Sequence, residues 1–154
     1  MLFQLWADVK NPNICKQLSN YGDSIQQFNR VSYWVATEIV TQPELRPRIK
    51  IVEKFIKIAK DLEKYRNYNA LVAVVSGLNL AAIQRLKLTW EGVSDRLKDI
   101  LTELEEVVSP QSNYKNYRTI YDKMESHHDN EPFIPFIGLL HSFRAIGQRF
   151  IFLK

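Results

Sequence analysis

The strongest constraint in this sequence is a three-to-four-residue spacing of apolar side chains that recurs in successive segments. Between Asp23 and Thr41 this spacing places one apolar stripe along a helix, formed by Ile25, Phe28, Val31, Val35 and Ile39. The alternation of apolar and polar residues that indicates half-buried strands persists nowhere in the chain. The sequence therefore predicts an all-α fold, an irregular bundle of about six helices.

Proline and capping residues divide the chain into these helices. Pro43 and Pro47 mark a break and a restart, which predicts a second helix from Glu44 to Tyr65. Asn67 is a suitable N-cap for a third helix, Tyr68–Leu78, which is apolar nearly all round and is expected at the centre of the fold. Further predicted helices cover Leu80–Leu86, a segment that is capped by Ser94 and ends before Ser109, and Tyr114–Glu125.

Composition and charge narrow the class of protein. The chain has 154 residues, 45% hydrophobic and 25% charged, which is ordinary for one globular domain. Its net charge of +4 is too small to indicate a phosphate-binding face, so no nucleic-acid partner is expected. The most basic stretch is interrupted by acidic residues, which favours a solvated helix face; it comprises Lys54, Lys57, Lys60, Lys64 and Arg66.

Targeting and metal signals are weak. Cys15 is the single cysteine, so an intramolecular disulfide is impossible and a reducing, cytoplasmic setting is expected. No window approaches the roughly 20 apolar residues of a membrane span, and the N-terminus does not resemble a signal peptide. His127 and His128 are adjacent and so do not form the i, i+4 ligand pair of a zinc helix. We expect no catalytic residue, metal or cofactor.

Seven short motifs follow one another in a fixed order. They are Phe28–Val35 with Thr37–Ile39, Phe55–Ala59, Asn67–Ala70, Ser76–Asn79, Arg85–Trp90, Asn113–Arg118 and Ile134–Gly138. In order and spacing they resemble the catalytic domain of Ras-family guanine nucleotide exchange factors, the Cdc25-homology or RasGEF domain. The resemblance covers about residues 5 to 140. It predicts a partial RasGEF domain over residues 1–140 and a divergent tail over residues 141–154.

The resemblance implies a function without covalent chemistry. Exchange factors of this family bind the nucleotide-free form of a small GTPase more tightly than the nucleotide-bound form, and this difference promotes GDP release. The partner would be Ras, Rap or Ral, a choice that the sequence leaves open. Carried over motif by motif, the surface that grips the GTPase switch 2 segment comprises Ile25, Asn29, Val72, Ser76, Asn79, Tyr114 and Phe136.

The chain departs from the family pattern after Leu140. The family continues there into a helical hairpin that displaces switch 1, and this chain also lacks the segment that usually opens the domain. We therefore expect an incomplete domain with weak or no exchange; the alternative is a non-catalytic GTPase-binding or scaffold module. The tail is basic and apolar, so membrane contact is expected only indirectly, through the GTPase or this segment.

Several motif residues also have purely structural interpretations. Trp34 and Trp90 are expected to anchor the core, because large aromatic side chains dominate buried area. Asn69 and Asn79 are equally suited to capping helices. Arg85 is expected to bind carbonyl groups at a helix C-terminus within the domain.

Overall fold

The computed structural model of the chain describes residues 12–126 and 134–139, with side-chain surroundings for residues 25–123 and 134–139. Within these residues the fold is all-α, as the periodicity predicts, and the only β pairing is an isolated bridge between Asn67 and Ile134. Seven helices are described: α1 (Pro12–Val40), α2 (Leu45–Lys64), α3 (Tyr68–Leu78), α4 (Ala81–Gln84), α5 (Lys87–Gly92), α6 (Asp95–Val107) and α7 (Lys115–Ser126).

The bounds of α2, α3 and α7 lie within one or two residues of the predicted ones. Asn67 caps α3 as expected, because its side-chain Oδ1 accepts a hydrogen bond from the backbone N–H of Ala70 at 3.1 Å. Two predictions were wrong. Helix α1 begins at Pro12, well before the predicted start at Asp23, and the short helix α5 was missed. Six residues are too few to establish an apolar period.

Helix α3 lies at the centre of the domain, as its composition predicts. Eight of its side chains or backbone positions are buried: Tyr68, Leu71, Val72, Ala73, Val74, Val75, Gly77 and Leu78. It packs against both α1 and α2. The buried stripe of α2 comprises Val52, Phe55, Ile56 and Ala59. The central helix therefore fixes where the two long helices lie.

The contact between α1 and α3 is unusually close. The buried hydroxyl of Ser32 donates to the backbone carbonyl of Ala73 at 2.9 Å, across the helix interface. One turn further on, Gly77 has no side chain to separate the helices, and Ser32 and Val35 of α1 lie against it. Small residues at such a contact let two backbones approach each other. The positions of residues on α1 relative to α3 are consequently well defined.

The two tryptophans differ from each other. Trp90 is half-buried, and its indole N–H donates to the carbonyl of Ile83 at 2.9 Å, which agrees with an anchoring role. Trp34 is 51% exposed, so the expectation that it anchors the core is wrong. Its ring meets Phe55 edge-on at 5.2 Å and its N–H donates to Glu38. The buried stripe of α1 runs through Ser32, Val35, Ala36 and Ile39, which leaves Trp34 at the flank.

Two further observations complete the fold. The guanidinium Nε of Arg48 donates to the buried hydroxyl of Thr89 at 2.9 Å and so links α2 to α5. Arg85 Nε donates to the carbonyl of Ala81 at 3.1 Å in the last turn of α4, as expected for an arginine near a helix C-terminus. Among the residues the structure describes, none of the helices is both long enough and apolar enough to cross a bilayer.

Candidate functional site

Helix α1 contributes Ile25 and Asn29 to the candidate surface. Both lie close to the stripe of Ser32, because positions three and seven residues apart fall on nearly the same side of a helix. Ile25 is 43% exposed, and the side chain of Asn29 is also exposed. An apolar and an amide side chain are thus available to a partner one or two turns from the point where α1 meets α3.

Helix α3 contributes Val72, Ser76 and Asn79, which lie at i, i+4 and i+7 and therefore share one face. Val72 is 5% exposed and belongs to the core, so it forms the floor of the surface. Ser76 is half-buried and Asn79 is exposed. This face becomes more polar and more accessible toward the C-terminal end of α3.

Asn79 also has a structural role. It is the C-cap of α3, and its backbone N–H bonds to carbonyls of Val75 and Gly77. Its side-chain Oδ1 accepts a hydrogen bond from Gln84 Nε2 at 3.1 Å, which holds the amide at the α3–α4 turn. Asn79 thus occupies the C-cap position, but its exposed side chain bonds to Gln84 and not to an unpaired backbone group of the helix.

The aromatic part of the site is centred on Phe136. Its ring lies 5.4 Å from that of Tyr114 and 5.9 Å from that of Phe28, both in tilted arrangements. All three rings are partly buried and pack on the core that includes Val72. Residues from α1, from the turn before α7 and from residues 134–139 thus meet in one cluster, which comprises Phe28, Tyr114 and Phe136.

Phe136 lies on a short segment that is held by hydrogen bonds to distant residues. The backbone of Ile134 makes two hydrogen bonds at the N-terminal end of α3. Its N–H donates to the carbonyl of Arg66, and its carbonyl accepts from the N–H of Tyr68. The N–H of Phe136 donates to the phenolic oxygen of Tyr117 at 3.0 Å. The next N–H, of Ile137, donates to Asn69 Oδ1 at 3.3 Å. Asn69 therefore satisfies the N–H of Ile137 at the start of the helical residues 137–139, so the side chain caps that stretch and not its own helix α3.

A left-handed turn places Tyr114. Ser112, Asn113 and Tyr114 have φ angles of 51°, 57° and 56°, a region that is unfavourable for residues with a Cβ atom. Side chains of α7 brace the turn: Arg118 donates to the carbonyl of Ser112 at 3.1 Å, and Asn116 donates to that of Glu106 at 2.8 Å. Backbone strain is retained here while the ring of Tyr114 rests on Phe136.

The site is electrically neutral. None of the seven candidate residues is an aspartate, glutamate, lysine, arginine or histidine. Burial raises the pKa of Tyr117 to about 12, and burial also raises the pKa of Tyr68, so both phenols beside the aromatic cluster stay protonated. The arrangement can bind a partner through apolar contact and amide or hydroxyl hydrogen bonds, and it offers no acid–base pair.

The structure brings Tyr114 and Phe136 into direct ring contact and places Val72 in the buried core against which both rings pack. It places Ile25 and Asn29 on α1, and Ser76 and Asn79 at the C-terminal end of α3. Their common role in binding stays a prediction. Sequence reasoning missed Phe28 and Tyr117 as neighbours of Phe136, although both lie in motifs that the resemblance identified.

In the part of the chain that it describes, the structure supports neither a metal site nor a second binding site for the candidate residues. Among the described residues no group of histidine, cysteine and acidic side chains is placed to hold a metal ion, and His127, His128 and His141 lie outside that part of the chain. An open depression of about 390 Å³ lies elsewhere, between α4, α5 and α6, and contains none of the seven candidates; its lining is Gln84, Lys87, Trp90, Glu91 and Lys98.

Comparison with known proteins gives a consistent result. The RasGEF domain family model matches residues 2–146. The chain is 42% identical to Rap guanine nucleotide exchange factor 5 of Homo sapiens over 116 residues, which are 75% of this chain and 19% of that protein. It is 41% identical to Ras guanine nucleotide exchange factor E of Dictyostelium discoideum over 141 residues, 90% of this chain and 13% of that protein. The chain spans less than a fifth of the length of these relatives.

Proposed function

Because the chain belongs to the RasGEF domain family, we propose that it binds a small Ras-family GTPase through the switch 2 segment and promotes release of the bound guanine nucleotide. The relatives are named as exchange factors for Ras and for Rap, so both GTPases are candidate partners, with Ral as a third. The observation that carries the proposal is the match of the RasGEF domain model to residues 2–146, and the partly buried aromatic cluster of Phe28, Tyr114 and Phe136 supports it.

The proposed surface suits a mobile loop that has both apolar and backbone polar groups. Ile25 is exposed and apolar, and Phe136 and Tyr114 present partly buried rings, so apolar side chains of the loop would pack there. Asn29, Ser76 and Asn79 carry groups that both donate and accept hydrogen bonds. These side chains would satisfy the loop's N–H and carbonyl groups as water leaves, which avoids the penalty for unpaired buried polar groups.

Exchange of this kind requires no covalent step. A protein that binds nucleotide-free GTPase more tightly than nucleotide-bound GTPase shifts the equilibrium toward release by the ratio of the two affinities. The neutral surface fits this role, because it can discriminate between conformations of a loop without a nucleophile or a general base. We accordingly propose a binding function with no chemical transformation by the chain itself.

The experiment measures release and binding separately. Purified chain is added to Ras, Rap and Ral loaded with a fluorescent GDP analogue, and release is followed with excess unlabelled GDP. Binding to each nucleotide-free GTPase is measured by calorimetry. Faster release together with tight binding supports exchange; binding without faster release supports the GTPase-binding or scaffold alternative. Absence of binding to all three, by a chain with native helical circular dichroism, overturns the proposal.

A pair of substitutions tests the surface itself. Phe136→Ala removes the ring at the centre of the aromatic cluster and should weaken binding by about 2 kcal/mol, as is typical of a central anchor. Leu88→Ala is the matched control, because Leu88 is 66% exposed on α5 and lies outside the proposed surface. Equal losses for the two variants would place the GTPase elsewhere on the domain.

A further inference from the structure

We propose that Asn69, Tyr117 and Gly138 are positioning residues that together fix the ring of Phe136 in the orientation that the GTPase meets. None of them is among the seven candidate contact residues. The inference rests on the proposed function for its biological meaning, and on the contacts of residues 134–139 for its geometry.

Two side-chain oxygen atoms hold the backbone at Phe136 by accepting hydrogen bonds from it. Backbone N–H groups of consecutive residues, Phe136 and Ile137, donate to Tyr117 Oη at 3.0 Å and to Asn69 Oδ1 at 3.3 Å. The two acceptors come from different helices, α7 and α3. A backbone held at two successive peptide groups cannot rotate freely, so the Cα–Cβ direction of Phe136 is set.

Tyr117 is suited to this role by its own surroundings. Tyr117 is 2% exposed. The centroid of its ring lies 5.1 Å from that of Tyr68 and 6.4 Å from that of Tyr121. A phenol that is packed on several sides and stays protonated offers a fixed oxygen lone pair. Packing of the Tyr117 ring in the core therefore fixes the position of its phenolic oxygen. That oxygen in turn fixes the position of the N–H group of Phe136, which donates to it.

Gly138 supplies the space for the ring. A Cβ atom at this position would lie 2.6 Å from Cζ of Phe136 and 3.1 Å from both Cε atoms, too close for the ring to stay where it is. The glycine itself is exposed, and the three nearest atoms that an added Cβ would meet all belong to the Phe136 ring. Only a residue without a side chain lets the Phe136 ring fold back over the segment and reach Tyr114 and Phe28.

The test combines single variants with a Phe136→Ala background. Tyr117→Phe removes one acceptor, Asn69→Leu removes the other, and Gly138→Ala displaces the ring. Each is expected to weaken binding of nucleotide-free GTPase by about three- to tenfold, the effect of one hydrogen bond or a modest displacement. Asn69→Asp keeps an acceptor oxygen at the same place and should retain most of the affinity.

The double variants separate positioning from other roles. If the three residues act through the Phe136 ring, none of the substitutions lowers affinity further once Phe136 is alanine. Losses that persist unchanged in that background, or single variants that bind like the wild type, overturn the inference. Thermal unfolding followed by circular dichroism checks that each variant is folded at the temperature of the binding experiment.

A second measurement does not depend on GTPase binding. Hydrogen exchange of the Phe136 and Ile137 amides, followed by NMR on the free chain, should accelerate at least tenfold in Tyr117→Phe and Asn69→Leu respectively, roughly the protection one hydrogen bond provides. Unchanged exchange overturns the inference even if binding falls. A wild-type chain that shows the protected amides and binds no GTPase would instead overturn the proposed function alone.

Discussion

Gly77 lies against Ser32 so closely that a Cβ atom added to the glycine would stand 2.6 Å from the serine carbonyl oxygen and 2.8 Å from Cβ of Val35. Both obstacles belong to the backbone or the first side-chain atom of α1, and neither can rotate away. The spacing of α1 and α3, and with it the distance between the two halves of the candidate surface, therefore depends on this glycine.

Gly77→Ala should lower the free energy of unfolding by about 1 to 3 kcal/mol, because the added methyl group forces the helices apart. This loss is expected even though alanine is favoured over glycine inside a helix by about 1 kcal/mol. Urea denaturation followed by circular dichroism measures it. Gly92→Ala is the control: its Cβ would meet Cδ1 of Ile49, the tip of a side chain that can rotate. A smaller loss is expected there, and a more stable Gly77→Ala protein would contradict the interpretation.

Ser112→Gly should stabilise the folded protein by up to about 1 kcal/mol, because glycine adopts positive φ without steric cost. Ser112 has a φ angle of 51° and begins the left-handed turn that ends at Tyr114. Ser112→Ala keeps the Cβ atom and should bring no gain. The free energy of unfolding of the two variants, measured side by side in urea, decides this. Equal stabilities would mean that strain at this turn is negligible.

The stability of the domain should fall in alkaline solution because of Tyr117. Burial raises its pKa from 10.0 to about 12 in the folded state, so the folded protein binds this proton more tightly than the unfolded chain does. The corresponding stabilisation is complete below pH 10 and is lost as the pH rises from 10 to 12. The loss amounts to roughly 3 kcal/mol at most.

Urea denaturation at several pH values between 8 and 11.5 measures the alkaline loss, and Tyr117→Phe is the comparison. The stability difference between wild type and variant should shrink steadily above pH 10, since the variant has no phenol to ionise at this position. A difference that stays constant across this range would show that Tyr117 titrates like an ordinary tyrosine.

Ile25→Ser should weaken GTPase binding by about 1 kcal/mol or more, with a change in unfolding free energy within about 0.5 kcal/mol, as for most surface substitutions. Ile25 is 43% exposed on the proposed surface. Val40→Ser is a matched control: Val40 is 49% exposed on the same helix but lies at its opposite end. Calorimetry with the nucleotide-free GTPase and urea denaturation give both quantities. Equal effects on affinity would remove Ile25 from the binding surface.

The fold could be predicted from sequence wherever a local rule determines it. The all-round apolar character of Tyr68–Leu78 and the cap at Asn67 gave the bounds and central place of α3, because burial on all sides requires that pattern. Trp34 shows the limit of this reasoning. A side chain at the edge of an apolar stripe is buried only if another element packs over it. Tertiary packing decides this, and the local sequence does not show it.

The site was harder to predict than the fold. Motif resemblance selected Tyr114 and Phe136, and the structure places their rings in contact. The hydrogen bonds from Tyr117 and Asn69 join residues that are 19 and 68 positions apart in sequence, so no local pattern could reveal them. Of the three residues in the left-handed turn, Asn113 is a type that favours positive φ, but Ser112 and Tyr114 are not, so the extent of the turn could not be predicted from sequence.

The hydrogen-bonded attachment of Phe136 has a consequence for synthesis on the ribosome. Ile25 and Asn29 emerge more than a hundred residues before the Phe136 ring, and that ring is held only after α3 and α7 have formed. On the proposed function, a nascent chain that has folded only its first three helices would present the surface without its aromatic cluster.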